Sequence, residues 1–260
     1  MQVCKVRMAD EEDIDFLAGC GHSENDSEIQ ESIARKRGFF REKWKEGLIS
    51  LVGLVEGKRS GFLNMFPIEI SPWGPFGEDL YVIPCLFVIW DYQGRELGKT
   101  MMSTAIEMAS KTSRKGIVAF GFSEPDWFLP VAFFQRFGFE EISRNGDERL
   151  MLLKFSSDVK TPVQFASRYL YHREPGKVVV DLFYNTFCST SDIEAQRVKE
   201  VAGEFGELVV LRSHEIDDAG VRERFSLPRG IFVNGKEIFW GYEAPREGIR
   251  EAILKELDLL

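Results

Sequence analysis

Residues 80–102, LYVIPCLFVIWDYQGRELGKTMM, form the segment that most constrains the fold of this 260-residue chain. The segment begins with a run that is apolar at nearly every position, which is typical of a strand covered on both faces of a sheet. A turn containing Gly94 and Gly98 follows. The next residues have helical spacing of their apolar side chains: Leu97, Met101, Ala105 and Met108. A buried strand that leads directly into a helix requires a sheet with helices packed on it, so we predict the α/β (α+β) class.

The pattern of apolar residues divides the chain into two domains. Residues 1–156 alternate predicted helices and strands around the segment described above. Residues 157–175 contain two prolines, have polar ends and show no regular period, which indicates a linker or bridging segment. Residues 176–260 predict a strand, a helix, a strand, a short helix, a hairpin on Asn234-Gly235 and a last helix. About 85 residues are enough for a small independent domain.

Composition narrows the classes of partner and the compartment. The formal net charge is −9, with 42 acidic against 33 basic side chains, which argues against nucleic acid as a partner. No apolar run approaches the roughly 20 residues of a membrane span, and the first residues lack the pattern of a signal peptide. The four cysteines are scattered without metal-ligand spacing: Cys4, Cys20, Cys85 and Cys188. We therefore predict a cytoplasmic protein with reduced thiols, no metal and no membrane partner, and leave a homodimer open.

The turn between the central strand and its helix has the chemistry of a phosphate site. A helix start leaves about four backbone N–H groups without partners, and the helix dipole adds about half a positive charge. A pyrophosphate group fits such a place. Glu96 adds a negative side chain, but its backbone can still donate, and Arg95 and Lys99 offset its charge. The alternative is an ordinary acidic helix start with no ligand.

Residues 1–155 resemble the GNAT acetyltransferase superfamily. The resemblance rests on the order of elements, on DYQGRELGKTMM after the apolar strand, and on AFFQRFGFEE after the next strand. Gln93, Gly98 and the pair Gly138-Phe139 match the family pattern, while Glu96 replaces its first motif glycine and Phe134 replaces a tyrosine. The resemblance implies the GNAT acyl-CoA N-acyltransferase fold, acetyl-CoA or coenzyme A as cosubstrate, and a small-molecule or peptide amine as acceptor.

The same resemblance assigns cofactor-binding residues. The backbone of Leu86, Phe87 and Val88 is expected to bind the pantetheine arm and to polarise the thioester carbonyl. The remaining expected contacts with the cofactor are Gln93, Gly94, Arg95, Glu96, Leu97, Gly98, Lys99 and Phe134.

The usual catalytic groups of the family are missing from their expected positions. An acid often returns a proton to the leaving thiolate, and here that position is Phe134. Phe120 and Phe122 stand where the family often has a glutamate, and Trp127 where it often has an asparagine. The remaining catalytic candidates are Glu69, Glu78 and Asp79 before the apolar strand, Cys85 within it, and Ser123 and Glu124 at the end of the next strand. Each has a plain alternative, since loop carboxylates are usually solvated and an apolar strand often contains a structural cysteine.

A second motif lies in the C-terminal domain, where Cys188 follows a hydrophobic strand and precedes a helix. The dipole at a helix start favours the thiolate form. Residues 176–260, with SLPRGIFVNGKEI, resemble the thioredoxin fold, and Pro228 occupies the place of its cis-proline. Ser191 stands where a dithiol enzyme has its second cysteine, so the implied redox role is monothiol. A docking or dimerising domain is the alternative.

The two motifs together resemble the YoaP-like fusion proteins, which are GNAT domains with a short thioredoxin-like tail. We therefore expect an acetyl-CoA-dependent N-acetyltransferase for an unidentified amine, with a monothiol thioredoxin-like accessory domain. Two alternatives stay open: an acyl-CoA-binding sensor, and a thiol-regulated protein with little turnover. The three histidines, His22, His172 and His214, lie outside both motifs.

Overall fold

The computed structural model describes residues 4–22, 26–123, 129–240 and 243–259. The chain forms two compact units. The first comprises Met1–Gly21 and Phe40–Gln164, and the second comprises His22–Phe39 and Phe165–Leu260. The second unit is therefore discontinuous in sequence, since it includes a segment from the N-terminal part of the chain.

The first unit contains a seven-stranded sheet in the order β1-β2-β3-β4-β5-β7-β6. Its strands are β1 Cys4–Met8, β2 Ile49–Val55, β3 Lys58–Pro67, β4 Leu80–Val88, β5 Gly116–Phe122, β6 Glu140–Asn145 and β7 Glu148–Lys154. Its helices are α1 Ile14–Gly19, the end of α2 Ser27–Lys45, α3 Leu97–Ser110 and α4 Val131–Gln135. Neighbouring strands are antiparallel except for β4 and β5, which are parallel and are joined by α3.

Helix α3 packs on one face of this sheet. Its buried side chains contact Leu63 and Met65 of β3, and Ile83 and Leu86 of β4, within one apolar cluster. A Cβ atom at Gly53 of β2 would lie only 2.9 Å from Leu97 Cδ1, so the glycine permits this close approach. The packing fixes the first turn of α3 against the last residues of β4.

Strands β4 and β5 diverge along their length. They are paired only from Leu80 to Ile83 of β4, although β4 continues to Val88. The next residue, Pro84, has no backbone N–H to donate to a ladder. On its other edge, β4 has one more residue than β3 between two successive pairs, so Ile83 and Pro84 together lie opposite Met65. The second half of β4 therefore faces a gap rather than a strand.

The second unit contains a four-stranded sheet in the order β11-β10-β8-β9. Its strands are β8 Val178–Tyr184, β9 Val209–Glu215, β10 Gly230–Val233 and β11 Lys236–Ile238. Its helices are the start of α2, then α5 Ser189–Glu204, α6 Ala219–Phe225 and α7 Arg246–Leu257. Strands β8 and β9 are parallel, and the other pairs are antiparallel. Helices α5 and α7 cover one face of the sheet, and α6 contributes to an aromatic cluster on the other.

The predicted mixed α/β (α+β) class is confirmed by these two sheets and their helices. Pro228 does not share the cis bond of the proline whose place it occupies, because no peptide bond among the described residues is cis. None of the helices in the described ranges is both long and apolar enough to cross a bilayer.

Candidate functional site

The candidate site of the first unit lies where β4 ends and α3 begins. Because β4 and β5 are parallel, their C-terminal ends lie at the same edge of the sheet, next to the start of α3. The predicted cofactor residues from Leu86 to Lys99 form one continuous segment at this edge.

The gap between the two strands is bounded on both sides. Residues Leu86, Phe87 and Val88 are paired with β3 on one edge, and no strand pairs with their other edge among the described residues. On the far side, the N–H of Phe122 donates to the carbonyl of Leu129 at 2.9 Å, so the segment leading into α4 lines the end of β5. The backbone of Leu86–Val88 thus lies on the edge of β4 that pairs with no strand among the described residues.

The turn between β4 and α3 is held by hydrogen bonds to the strand. Gln93 donates from Nε2 to the carbonyl of Val88 at 3.1 Å. Gly94 has φ +72°, a conformation that glycine adopts without strain. The guanidinium of Arg95 lies over the Tyr92 ring at 5.3 Å. These contacts hold the turn open at the helix start.

Glu96 occupies the N-cap of α3 in the left-handed region, with φ +64° and ψ 0°. Its side chain, 67% exposed, forms an ion pair with Lys99 at 2.7 Å and does not cap the helix. The first three helical N–H groups, of Leu97, Gly98 and Lys99, have no acceptor within the helix. A glycine at position 96 would adopt this left-handed backbone without strain, whereas Glu96 adopts it at a cost.

These residues fit coenzyme A. The N–H groups at the start of α3 and the ammonium group of Lys99 suit a pyrophosphate. Gly98 packs so that an added Cβ would lie 3.6 Å from Leu86 Cδ2, which leaves the helix start close to the strand end. The open edge of β4 suits the amides of a pantetheine arm.

A polar row crosses the other face of the sheet, opposite α3. Ser50, Asn64 and Cys85 lie directly opposite one another on three neighbouring strands. Trp44 donates from Nε1 to Ser50 Oγ at 3.0 Å, and Ser50 Oγ donates to Asn64 Oδ1 at 2.7 Å. The sequence interpretation identified Cys85 but missed the other members. Their signal was two polar residues within apolar strands, and only the strand register shows that they are neighbours.

Glu148 is a second residue that sequence reasoning missed. It begins β7 opposite Phe122, at the same edge of the sheet as the gap. Burial raises the pKa of its carboxyl group, and the hydrogen bond from Gln164 Nε2, at 2.5 Å, only partly opposes this. A carboxyl with a raised pKa has the property that a proton acceptor near neutral pH requires.

The structure separates the other catalytic candidates. Glu69 accepts a hydrogen bond from the Asp79 N–H at 3.0 Å and forms an ion pair with Arg114 at 2.9 Å. Asp79 directly precedes β4, so Glu69 lies at the end of β4 that is opposite to the start of α3. Glu78 pairs with Lys160 and Asp79 with Lys115. Ser123 is exposed at the end of β5, at the same edge as the gap.

Three aromatic positions complete the comparison with the family pattern. Phe134 is fully buried in α4, and a Cβ at Gly121 would lie 3.3 Å from its ring, so it packs beneath the end of β5. Phe122 lies at the edge of the gap, as described above. Glu124 and Trp127 lie outside the described residues. No His, Cys, Asp or Glu cluster suited to a metal ion occurs in the ranges that the structure covers.

In the second unit, Cys188 is the N-cap residue of α5. Asn185 supports the turn before it, because its Oδ1 accepts from the Cys188 N–H at 2.8 Å and its Nδ2 donates to the Pro228 carbonyl at 2.9 Å. Ser191 is buried, and its Oγ accepts from the Asn185 N–H at 3.0 Å. Asn185 therefore links Pro228 to the start of α5.

Several solved acetyltransferases are similar to this chain, whereas no family model and no curated protein matches it. A PaiA N-acetyltransferase from Thermoplasma acidophilum, in complex with coenzyme A, is 16% identical and covers 59% of this chain and 99% of its own, with a TM-score of 0.45. A ribosomal-protein-alanine N-acetyltransferase from Brucella melitensis is 18% identical and covers 58% of this chain and 99% of its own, with a TM-score of 0.45. A GNAT family acetyltransferase from Brucella melitensis, in complex with acetyl-CoA, is 16% identical and covers 62% of this chain and 94% of its own, with a TM-score of 0.42.

Proposed function

We propose that the first unit is an acetyl-CoA-dependent N-acetyltransferase of the GNAT type that acts on a small-molecule or peptide amine. One observation carries the proposal. The backbone of β4 loses its partner strand before the chain turns into a helix whose first N–H groups have no acceptor within the helix. One continuous segment therefore offers amide partners for a pantetheine arm and donors for a pyrophosphate.

The proposed chemistry assigns a task to each part of this segment. Acetyl-CoA supplies the thioester, and the backbone of Leu86–Val88 holds it and polarises its carbonyl. The acceptor nitrogen bonds to the carbonyl carbon, the carbon–sulfur bond breaks, and the amine proton passes to a base. We assign that base to Glu148, because it begins β7 at the end of the sheet where the gap opens, one strand beyond β5, and its carboxyl has a raised pKa. Phe134 cannot protonate the thiolate, so the thiolate leaves without help from that position.

The first test is cofactor affinity. We expect isothermal titration calorimetry to show acetyl-CoA binding to the full chain, and Gly98→Glu to weaken it about a hundredfold, since side-chain bulk and negative charge enter the phosphate position. Gly98→Ala is the milder variant, because its Cβ would meet Leu86 and Val88 at ordinary contact distances. Gly203→Glu makes the same change in α5, where nothing lies within 4 Å of the added Cβ. Unchanged affinity in a folded Gly98→Glu protein contradicts the proposed site.

The burial of Phe134 favours a second candidate, an acyl-CoA-binding sensor, because no acid occupies that position. Release of the coenzyme A thiol from acetyl-CoA in the presence of an amine panel separates the two functions. Amine-dependent release identifies a transferase, whereas binding without release identifies the sensor.

We further propose that the second unit is a thioredoxin-like accessory domain with Cys188 as a single reactive thiol. Its support is the order of elements, with parallel β8 and β9 joined by α5 and followed by α6, a hairpin and α7. The position of Cys188 at the start of α5 favours its thiolate.

A further inference from the structure

The second unit contains a cavity that neither proposed function uses. Its volume is about 390 Å³, within the range of small-molecule sites. The residues that line it are Arg168, Tyr169, Leu170, His172, Asp181, Arg212, His214, Arg224 and Phe225. It lies on the face of the sheet that carries α6, since Asp181 alternates along β8 with the residues that face α5 and α7.

A buried carboxylate lies in the wall of the cavity. Asp181 is 3% exposed, and its Oδ2 accepts a hydrogen bond from the Tyr169 hydroxyl at 2.7 Å. Its Oδ1 lies 3.9 Å from both Arg212 Nη1 and His214 Nε2. A carboxylate oxygen has lone pairs for more than one donor, so Oδ1 can also accept a hydrogen bond from a hydroxyl or amine of a ligand.

The neighbouring wall is aromatic and uncharged. The His214 ring stacks on Phe183 with centroids 4.7 Å apart and lies 4.6 Å from the Phe225 ring. Burial lowers the pKa of His214, which disfavours the charged imidazolium. This wall suits the carbon skeleton of a small ligand rather than a second charged group.

The mouth of the cavity is cationic. Arg212 is engaged by Glu174 at 2.5 Å, but Arg168 and Arg224 have no carboxylate partner in the part of the chain that the structure describes. Arg168 donates to the carbonyl of Glu223, and Arg224 lies over the Phe225 ring at 4.9 Å. In a chain with 42 acidic side chains, two guanidinium groups at one opening without an acidic partner form a site for an external oxyanion.

We propose that this cavity binds a small organic anion, which places a phosphate or carboxylate group between Arg168 and Arg224 and a hydroxyl or amine group on Asp181. Both anions share the chemistry that the arginines recognise, which is a planar or tetrahedral oxyanion that accepts paired N–H donors. The donor at the other end of the ligand satisfies Asp181 Oδ1.

Calorimetric titration of the full chain tests this site with four probes. Glycerol 3-phosphate and malate carry an oxyanion and a hydroxyl group, inorganic phosphate carries only the oxyanion, and glycerol carries only hydroxyl groups. We expect glycerol 3-phosphate or malate to bind with a Kd of about 1 mM or tighter, and glycerol to show no binding. Tighter binding of glycerol 3-phosphate would assign the site to phosphate esters, and tighter binding of malate would assign it to carboxylates.

The variants separate the site from general electrostatic attraction. Arg168→Ala with Arg224→Ala is expected to weaken the tighter ligand at least about tenfold, which corresponds to about 1.4 kcal/mol. Arg173→Ala removes the same charge from the same segment but outside the cavity, and should leave the Kd within about twofold. Asp181→Asn removes a negative charge, so inorganic phosphate should bind more tightly. Absence of binding by both anions, or equal weakening by Arg173→Ala, overturns the proposal.

Discussion

The carboxyl group of Glu148 combines a cost in stability with a role in the proposed chemistry. Its pKa is raised because burial penalises the charged form. A raised pKa in the folded state means that stability is complete below the unfolded pKa and is lost as pH rises through the folded pKa. At neutral pH the folded protein therefore holds an ionised group that the unfolded chain hydrates better.

We predict that Glu148→Gln has opposite effects on stability and turnover. The variant should resist urea unfolding better than wild type at pH 7 and equal it at about pH 3, where both states carry a neutral carboxyl. Its kcat for acetyl transfer should fall about a hundredfold, the usual contribution of a general base, while acetyl-CoA affinity stays unchanged.

Glu140→Gln provides the control for both measurements. Glu140 lies on β6 in the same sheet, and its side chain is 76% exposed. It should change neither the pH dependence of stability nor kcat. A Glu148→Gln protein with full activity would remove Glu148 from the mechanism, and one that is less stable than wild type at pH 7 would contradict the cost assigned to its burial.

At the scale of single elements, the start of α3 combines two opposing requirements. The chain must turn sharply from β4 into the helix, and it does so through a left-handed residue at position 96. An L-residue other than glycine adopts this conformation at a cost of about 1–2 kcal/mol. Glu96 also places a negative charge at the proposed phosphate position, and its ion pair with Lys99 occupies a cation that a phosphate would use.

We predict that Glu96→Gly binds acetyl-CoA about threefold to tenfold more tightly than wild type, because one negative charge leaves the phosphate position. Its stability should change by less than about 1 kcal/mol, since the relief of backbone strain is opposed by the extra freedom of glycine in the unfolded chain. Calorimetry and thermal unfolding measure the two quantities.

Glu96→Gln separates charge from backbone in this experiment. It retains the strained conformation and removes the charge, so it should gain affinity without gaining stability. If neither variant binds acetyl-CoA more tightly, the phosphate does not lie at the start of α3.

At the scale of the whole molecule, the two proposed chemistries lie in separate units. The cofactor segment belongs entirely to the first unit, and Cys188 with its supporting Asn185 belongs to the second. None of the four cysteines is in a disulfide, so each is available in principle for thiol exchange. Cys188 differs from the other three cysteines in lying at the start of a helix, as the N-cap residue of α5.

We predict that oxidised glutathione modifies the full chain at Cys188. The Cys188 thiolate attacks the glutathione disulfide, a mixed disulfide forms, and one reduced glutathione leaves as its thiolate. Intact mass spectrometry should show one adduct on wild type and on Cys4→Ser, and none on Cys188→Ser. Cys188→Ser should bind acetyl-CoA within about twofold of wild type, because the cofactor segment is unaltered. An adduct that persists in Cys188→Ser would assign the reactive thiol elsewhere.

The cofactor segment could be read from the sequence because its determinants are local. An apolar run, two glycines and a helical pattern occur within about two dozen consecutive residues, and each acts on its immediate neighbours. The row formed by Ser50, Asn64 and Cys85 could not be read in this way, since it depends on the register of three strands. The hydrogen bond that Glu148 accepts likewise comes from a residue outside its own strand, Gln164, which lies 16 positions away in the sequence.

The assignment of residues 22–39 to the second unit also depends on contacts between distant residues. Arg35 pairs with the buried carboxylate of Asp192 at 2.9 Å, and Lys36 donates to Ser189 Oγ at 2.8 Å. The local pattern in this segment predicts only an amphipathic helix. Its partners, one carboxylate and one hydroxyl, lie 157 and 153 residues away in the chain.

The early end of the pairing between β4 and β5 has a consequence for the kinetics of ligand exchange. Pro84 follows the last paired residue and has no N–H with which to extend the ladder, so the opening is present before any ligand arrives. If the proposed function holds, a pantetheine arm would enter without breaking hydrogen bonds between strands. We therefore expect association to be limited by diffusion and orientation rather than by an opening step, and product to leave without waiting for the sheet to separate.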